Sequence, residues 1–158
     1  MPKPQRMDVE TLWRIERLGV PHLSPDGAQA VVSVTRYSME ENKAASRLWL
    51  LSTLGGQPRA LTQCGEKDGQ PHWCPSVGAD NEQANTIAFL ARREQNGSKD
   101  DTTQLYLIPA DGGEARRAAQ VATGVEAFRW FPDGKKLAFI SWVWPDAKGG
   151  KAQAARMK

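Results

Sequence analysis

Two histidines, His22 and His72, are the side chains in this sequence best suited to acid–base or metal chemistry near neutral pH. Each follows a proline and stands three positions ahead of a second one, Pro25 or Pro75, and Arg129 holds the same place before Pro132. A residue in a recurring slot answers first to the repeat, so a structural role is expected for both histidines. Ser24 is a turn residue by the same reasoning, and no Gly-x-Ser-x-Gly elbow exists to present a hydrolase nucleophile. Asp26 and Asp133 are matched turn residues rather than a carboxylate pair for general acid–base catalysis. Cys64 and Cys74 lack the Cys-x-x-Cys spacing of a zinc or redox site, and Cys74, just before the turn proline, reads as a buried thiol. The charges Arg36, Glu40, Glu41, Arg92, Arg93 and Glu94 are expected to be solvated loop groups. No catalytic, cofactor-binding or metal-ligating residue is therefore assigned, and no cofactor is expected.

The elements that carry these residues are written most clearly in the stretch from Phe128 to Ile140. Pro132-Asp133-Gly134 is a tight turn, because proline presets its φ, aspartate bonds ahead to the backbone, and glycine accepts positive φ. Its apolar flanks pair as a hairpin. Leu23-Ser24-Pro25-Asp26-Gly27 followed by Ala30 to Val34 repeats the unit. His72-Trp73-Cys74-Pro75, followed later by Thr86 to Leu90, reads as a third copy with a longer polar loop in place of the turn. A second marker keeps step: Leu48 to Leu51 leads to Gly55-Gly56, and Leu105 to Ile108 leads to Gly112-Gly113.

A period of roughly 50 residues holding about four short strands is the sign of a β-propeller blade. The fold class expected is all-β, a partial propeller of about two and a half blades of four-stranded antiparallel sheet, preceded by a short N-terminal helix. Residues 1–19 form an arm and helix, with Asp8 as cap, Val9 to Leu18 as helix and Gly19 as its stop. Residues 20–145 hold the repeats (20–62, 70–119 and 125–145), with polar loops at Tyr37–Arg47, Val77–Asn85 and Glu94–Thr102. Residues 146–158 are a polar tail or the opening of an insertion. The face of Leu12, Trp13 and Ile15 is too apolar for water and calls for a partner surface. Trp130, Trp142 and Trp144 are expected to pack between blades rather than form a stacking platform.

The chain carries 21 Lys+Arg against 18 Asp+Glu, a net charge of +3, with the signs interspersed. That pattern gives no basis for a nucleic-acid partner. No apolar run approaches the roughly 20 residues of a membrane span, and none follows Met1 as a signal core, so no membrane partner and a cytoplasmic location are expected, periplasmic if the true start lies upstream.

The Ser24-Pro25-Asp26-Gly27 and Phe131-Pro132-Asp133-Gly134-Lys135-Lys136-Leu137-Ala138-Phe139 segments resemble the propeller repeats of the translocation protein TolB and of the prolyl oligopeptidase family of serine peptidases. The helix-like segment from Asp8 to Gly19, running into the first repeat, is similar to the start of the family's acylaminoacyl-peptidase and dipeptidyl-peptidase members. The resemblance implies a propeller that caps an α/β-hydrolase domain and admits only short peptides. It also implies a catalytic serine, aspartate and histidine in that later domain, so no residue here inherits them. The partners implied are the remaining blades, the hydrolase domain and, for the parent protein, short peptide substrates. Two alternatives stand beside this reading: a TolB-like scaffold that binds proteins, and a fragment that closes a ring as a homo-oligomer.

Overall fold

The computed structural model describes residues 7–65, 67–75, 84–95 and 97–157. Helix α1 (Val9–Arg14) opens the described chain, capped by the Asp8 carboxylate, which accepts from Thr11 N at 2.7 Å. It ends at Ile15, earlier than the sequence implies, because the chain turns at once into strand β1 (Arg17–Leu18). Gly19 does not stop a helix. It lies against the next strand, its N–H donating to Ser33 O at 2.8 Å, where a Cβ would meet Ser33 Oγ at 2.2 Å.

β1 and β2 (His22–Leu23) lie on one edge of β3 (Gln29–Ser38), which pairs with β4 (Lys43–Ser52) and through it with β5 (Arg59–Ala60). β3 and β4 match over ten positions, from Gln29↔Ser52 to Ser38↔Lys43. The segment Tyr37–Arg47, expected as a polar loop, is therefore mostly the far end of a long hairpin. Its tip reaches α1: Trp13 meets Tyr37 edge-on at 5.7 Å, and Arg36 bonds Glu16. These contacts answer part of the demand for a partner surface, although Leu12, Trp13 and Ile15 each stay about 40% exposed.

The second sheet is four-stranded and antiparallel, in the order β11 (Arg116–Ala119), β10 (Gln104–Pro109), β7 (Thr86–Ala91), β6 (Gly69–Trp73). A small hairpin of β8 (Glu94–Gln95) and β9 (Ser98–Lys99) rises between β7 and β10. The third sheet is the pair β12 (Ala127–Trp130) and β13 (Leu137–Ile140). Residues 150–156, expected as tail or insertion, form helix α2 (Gly150–Arg156), and Gln153 ties it back by bonding both N and O of Trp144 at 2.9 Å. The N-terminal arm and most of the polar loop Val77–Asn85 lie outside the described residues.

The turns form as their residues require. Gly27 N donates to Ser24 O and Gly134 N to Phe131 O, both at 2.9 Å, with φ of +71° and +66° at the glycines. Asp26 and Asp133 each accept the backbone N–H two residues on, at 3.0 Å. Ser24 N to Gln29 O, Cys74 N to Thr86 O and Phe131 N to Lys136 O are the same bond in three repeats, which aligns the middle copy despite its different loop.

Packing lies between sheets. One cluster joins Val31, Leu48, Leu50 and Leu61 of the first sheet to Trp73, Ile87, Phe89, Tyr106 and Ile108 of the second. The other joins Ala88, Leu90, Leu105 and Leu107 on the opposite face of that second sheet to Val125 and Phe128. Alternate residues of β7 thus serve two interfaces, which is why Ile87 to Ala91 is an unbroken apolar run. The three larger groupings of strands stack face to face, each antiparallel and, among the described residues, not closed into a ring; they are successive blades of a partial β-propeller.

Candidate functional site

The histidine slot recurs on an edge strand of each sheet: His22 on β2, His72 on β6 and Arg129 on β12. Stacking the sheets brings the three together. The imidazoles of His22 and His72 lie 4.6 Å apart, tilted by 58°, and His72 meets Phe128 edge-on at 5.2 Å. Arg129 Nη1 is 3.2 Å from His72 Nε2 and donates to Phe128 O at 2.9 Å. Trp73 N–H donates to His22 Nδ1 at 3.3 Å, and the Trp130 indole donates to His72 O at 3.2 Å.

These bonds set the tautomers. A guanidinium only donates, so His72 Nε2 is the acceptor and its proton sits on Nδ1. His22 Nδ1 accepts from Trp73, which puts its proton on Nε2. Burial pushes the His72 imidazole down to about 4, with the His22 and Arg129 charges acting in the same direction. Burial also lowers His22, opposed by a bond to the Leu23 backbone and helped by Arg129. Both rings are neutral near pH 7, and the row presents N–H donors beside one permanent positive charge.

A second polar cluster lies on the second sheet. Asp68, whose side chain is wholly buried, receives a two-point contact from Arg93, Nε to Oδ1 at 3.1 Å and Nη2 to Oδ2 at 2.5 Å. The Arg93 guanidinium also lies 5.0 Å from the Phe89 ring and 5.8 Å from the Tyr106 ring. The Tyr106 hydroxyl donates to Asp100 at 2.5 Å, and Arg117 binds Asp100 at 2.6 Å while donating to the Tyr106 hydroxyl at 3.3 Å. Burial pushes the Asp68 carboxyl up, and Arg93 opposes it. Burial and Asp100 likewise raise the Tyr106 phenol.

Arg93 is therefore not the solvated loop charge that its polar neighbours suggest. The cluster works as a strut, and its Arg93, Asp100 and Tyr106 form one side of an open groove of about 1070 Å³ bordered also by Arg59 and Lys67. Arg59 reaches across to the carbonyl of Ala110 at 2.5 Å, joining the first two blades at their outer end.

The other sequence candidates stay apart. Asp26 and Asp133 each serve their own turn, and Ser24 Oγ is held by Asp26 at 2.5 Å and Gln29 N at 2.9 Å. Cys74 is buried and Cys64 exposed, both as thiols. Of the three tryptophans, Trp130 packs against an interblade cluster. Trp142, by contrast, is 71% exposed and bonds Glu126, because β13 is an edge with nothing stacked on it among the described residues. No helix among the described residues is long and apolar enough to cross a membrane.

No protein-family model matches the chain. Its curated relatives include dipeptidyl-peptidase 5 of Porphyromonas endodontalis, 30% identical over 135 residues that cover 85% of this chain and 18% of that protein. The uncharacterized peptidase YuxL of Bacillus subtilis is 29% identical over 117 residues, covering 74% of this chain and 16% of that one. The chain thus spans less than a fifth of the length of these relatives. Among solved structures, the acylaminoacyl peptidase of Pyrococcus horikoshii aligns with a TM-score of 0.64 at 15% identity, over 91% of this chain and 20% of that one. A putative TolB from Agrobacterium tumefaciens aligns with a TM-score of 0.55 at 18% identity, over 77% of this chain and 37% of that one. The structural likenesses carry the fold and the sequence likenesses point to peptidases, in agreement with the repeats: the chain is a stretch of β-propeller with TolB-like repeats, similar to those of peptidases of the prolyl oligopeptidase family.

Proposed function

We propose that this chain is the non-catalytic, substrate-gating propeller segment of a serine peptidase that cleaves short peptides. The remaining blades and the hydrolase domain with its serine, aspartate and histidine come from residues outside these 158. The observation that carries the reading is that the chain, made of stacked blades, aligns with only 16% and 18% of two peptidases. The ends of the arc support it. Leu18, Val20 and Leu23 are exposed at one end and Ile140, Trp142 and Val143 at the other, apolar surface of the kind that neighbouring blades cover. A closed ring over an active site selects by size, because a folded protein cannot pass a channel that admits an extended peptide.

The test compares the isolated chain with the longer peptidase that contains it, using dipeptidyl and acylaminoacyl 4-nitroanilides. The chain alone is expected to release no nitroaniline, while the longer protein does so and prefers short peptides over long ones. Turnover by the purified chain that changes with substitutions in it would overturn the proposal. So would a longer protein whose size preference survives removal of these blades.

A further inference from the structure

We propose that His22, His72 and Arg129, one residue from each of three successive blades, form a carboxylate-binding site on the inner wall of the propeller. The strands that carry them are edge strands, β2 and β6 lying on the edges of their sheets opposite β5 and β11, and the edge strands on one side of successive blades surround the central channel of a propeller. The three side chains touch in turn: the His22 and His72 rings lie 4.6 Å apart, tilted by 58°, and His72 Nε2 meets Arg129 Nη1 at 3.2 Å.

Its chemistry selects the ligand. The ring lone pairs at His22 Nδ1 and His72 Nε2 are taken by Trp73 N–H and Arg129, so neither nitrogen is open to a metal ion. What remains are His72 Nδ1–H and the other guanidinium N–H groups, an array of donors that His22, its own N–H held by the Leu23 backbone, packs and positions. The four ion pairs found among the described residues do not include Arg129, so its charge is balanced by no carboxylate there. A planar fork of N–H groups matches a carboxylate in two-point contact. The choice of a peptide carboxylate over other carboxylates rests on the peptidase reading, whereas the donor array does not.

The chain has two histidines, which makes its imidazole C–H resonances a direct probe that needs no turnover. The probes are tri-alanine, its C-terminal amide and inorganic phosphate. Tri-alanine is expected to shift both signals saturably and to raise the His72 pKa from about 4, because a bound anion favours imidazolium. R129Q is expected to weaken binding at least ~10-fold, with R129K intermediate because an ammonium lacks the fork. Urea unfolding of each variant controls for folding, and H22Q serves as a second variant whose binding is expected to fall as well. Equal shifts from the amide, tighter binding of phosphate, or unchanged binding by both R129Q and H22Q would overturn the proposal. A chain that binds tri-alanine but hydrolyses nothing supports it. Failure to bind, in a protein whose longer form is an active peptidase, refutes this site and leaves the gating role standing.

Discussion

Acidification is expected to loosen the contact between the first two blades through His72. The imidazole is held at about 4 in the folded chain against its ordinary 6.5, so the unfolded chain binds its proton more tightly. The sign follows directly. A depressed pKa gives stability that is fully present above pH 6.5 and is lost as the pH falls toward 4. A gap of that size corresponds to at most about 3 kcal/mol, and because the ring is only half buried, screening by water cuts this to about 1–2 kcal/mol. The groups facing the ring are His22, Arg129 and Phe128, none of which can neutralise an imidazolium. His22, also lowered, adds in the same direction. The assay is urea unfolding at pH 7.5, 6.5, 5.5 and 4.5, for the chain and for H72Q. The variant removes the titrating ring while the His72 backbone carbonyl still accepts from Trp130. The difference between the two isolates this residue from the carboxylates that titrate in the same range. Its stability advantage should shrink by about 1–2 kcal/mol between pH 7.5 and 4.5. A difference independent of pH, or a measured His72 pKa near 6.5, would refute the reasoning.

Two further outcomes follow from the packing. D68A strands the Arg93 guanidinium and should cost about 3–5 kcal/mol, whereas the D68L/R93M double variant should recover most of that loss, both read from urea midpoints. F128A empties the interface between the second and third sheets, where Phe128 is 2% exposed, and should cost about 3–5 kcal/mol; a loss under 1 kcal/mol would mean that the third sheet does not stack as described.

The repeat was legible because its turns are local chemistry. Pro-Asp-Gly needs no distant partner to bend, and both such turns form with the bonds their residues demand. The blade order followed from the spacing of those turns. Less legible was the length of the first hairpin, since Lys43 to Arg47 are small or charged residues, none of them buried, yet sit in strand because β3 continues opposite them. The stop at Gly19 was misread for a related reason: glycine marks a close approach as readily as a helix end, and only the position of Ser33 separates the two. The pair of Asp68, just ahead of β6, with Arg93, just past β7, joins residues far apart in sequence, and no local pattern announces it. The slot shared by His22, His72 and Arg129 was visible as a repeat, but its meeting point exists only once the blades stack.

The double-faced strand β7 has a consequence for how its alignment is specified. In a sheet with one wet face, slipping a strand by one residue exposes its apolar side chains, and water corrects the error. Ile87 to Ala91 are buried on both faces, so polarity does not distinguish the right register from the wrong one. What distinguishes them is volume: Phe89 fills the space beside Tyr106 on one side, while Ala88 meets Leu107 on the other. The register of this strand is encoded in size, and exchanging residues between its faces would disturb it while leaving its hydropathy untouched.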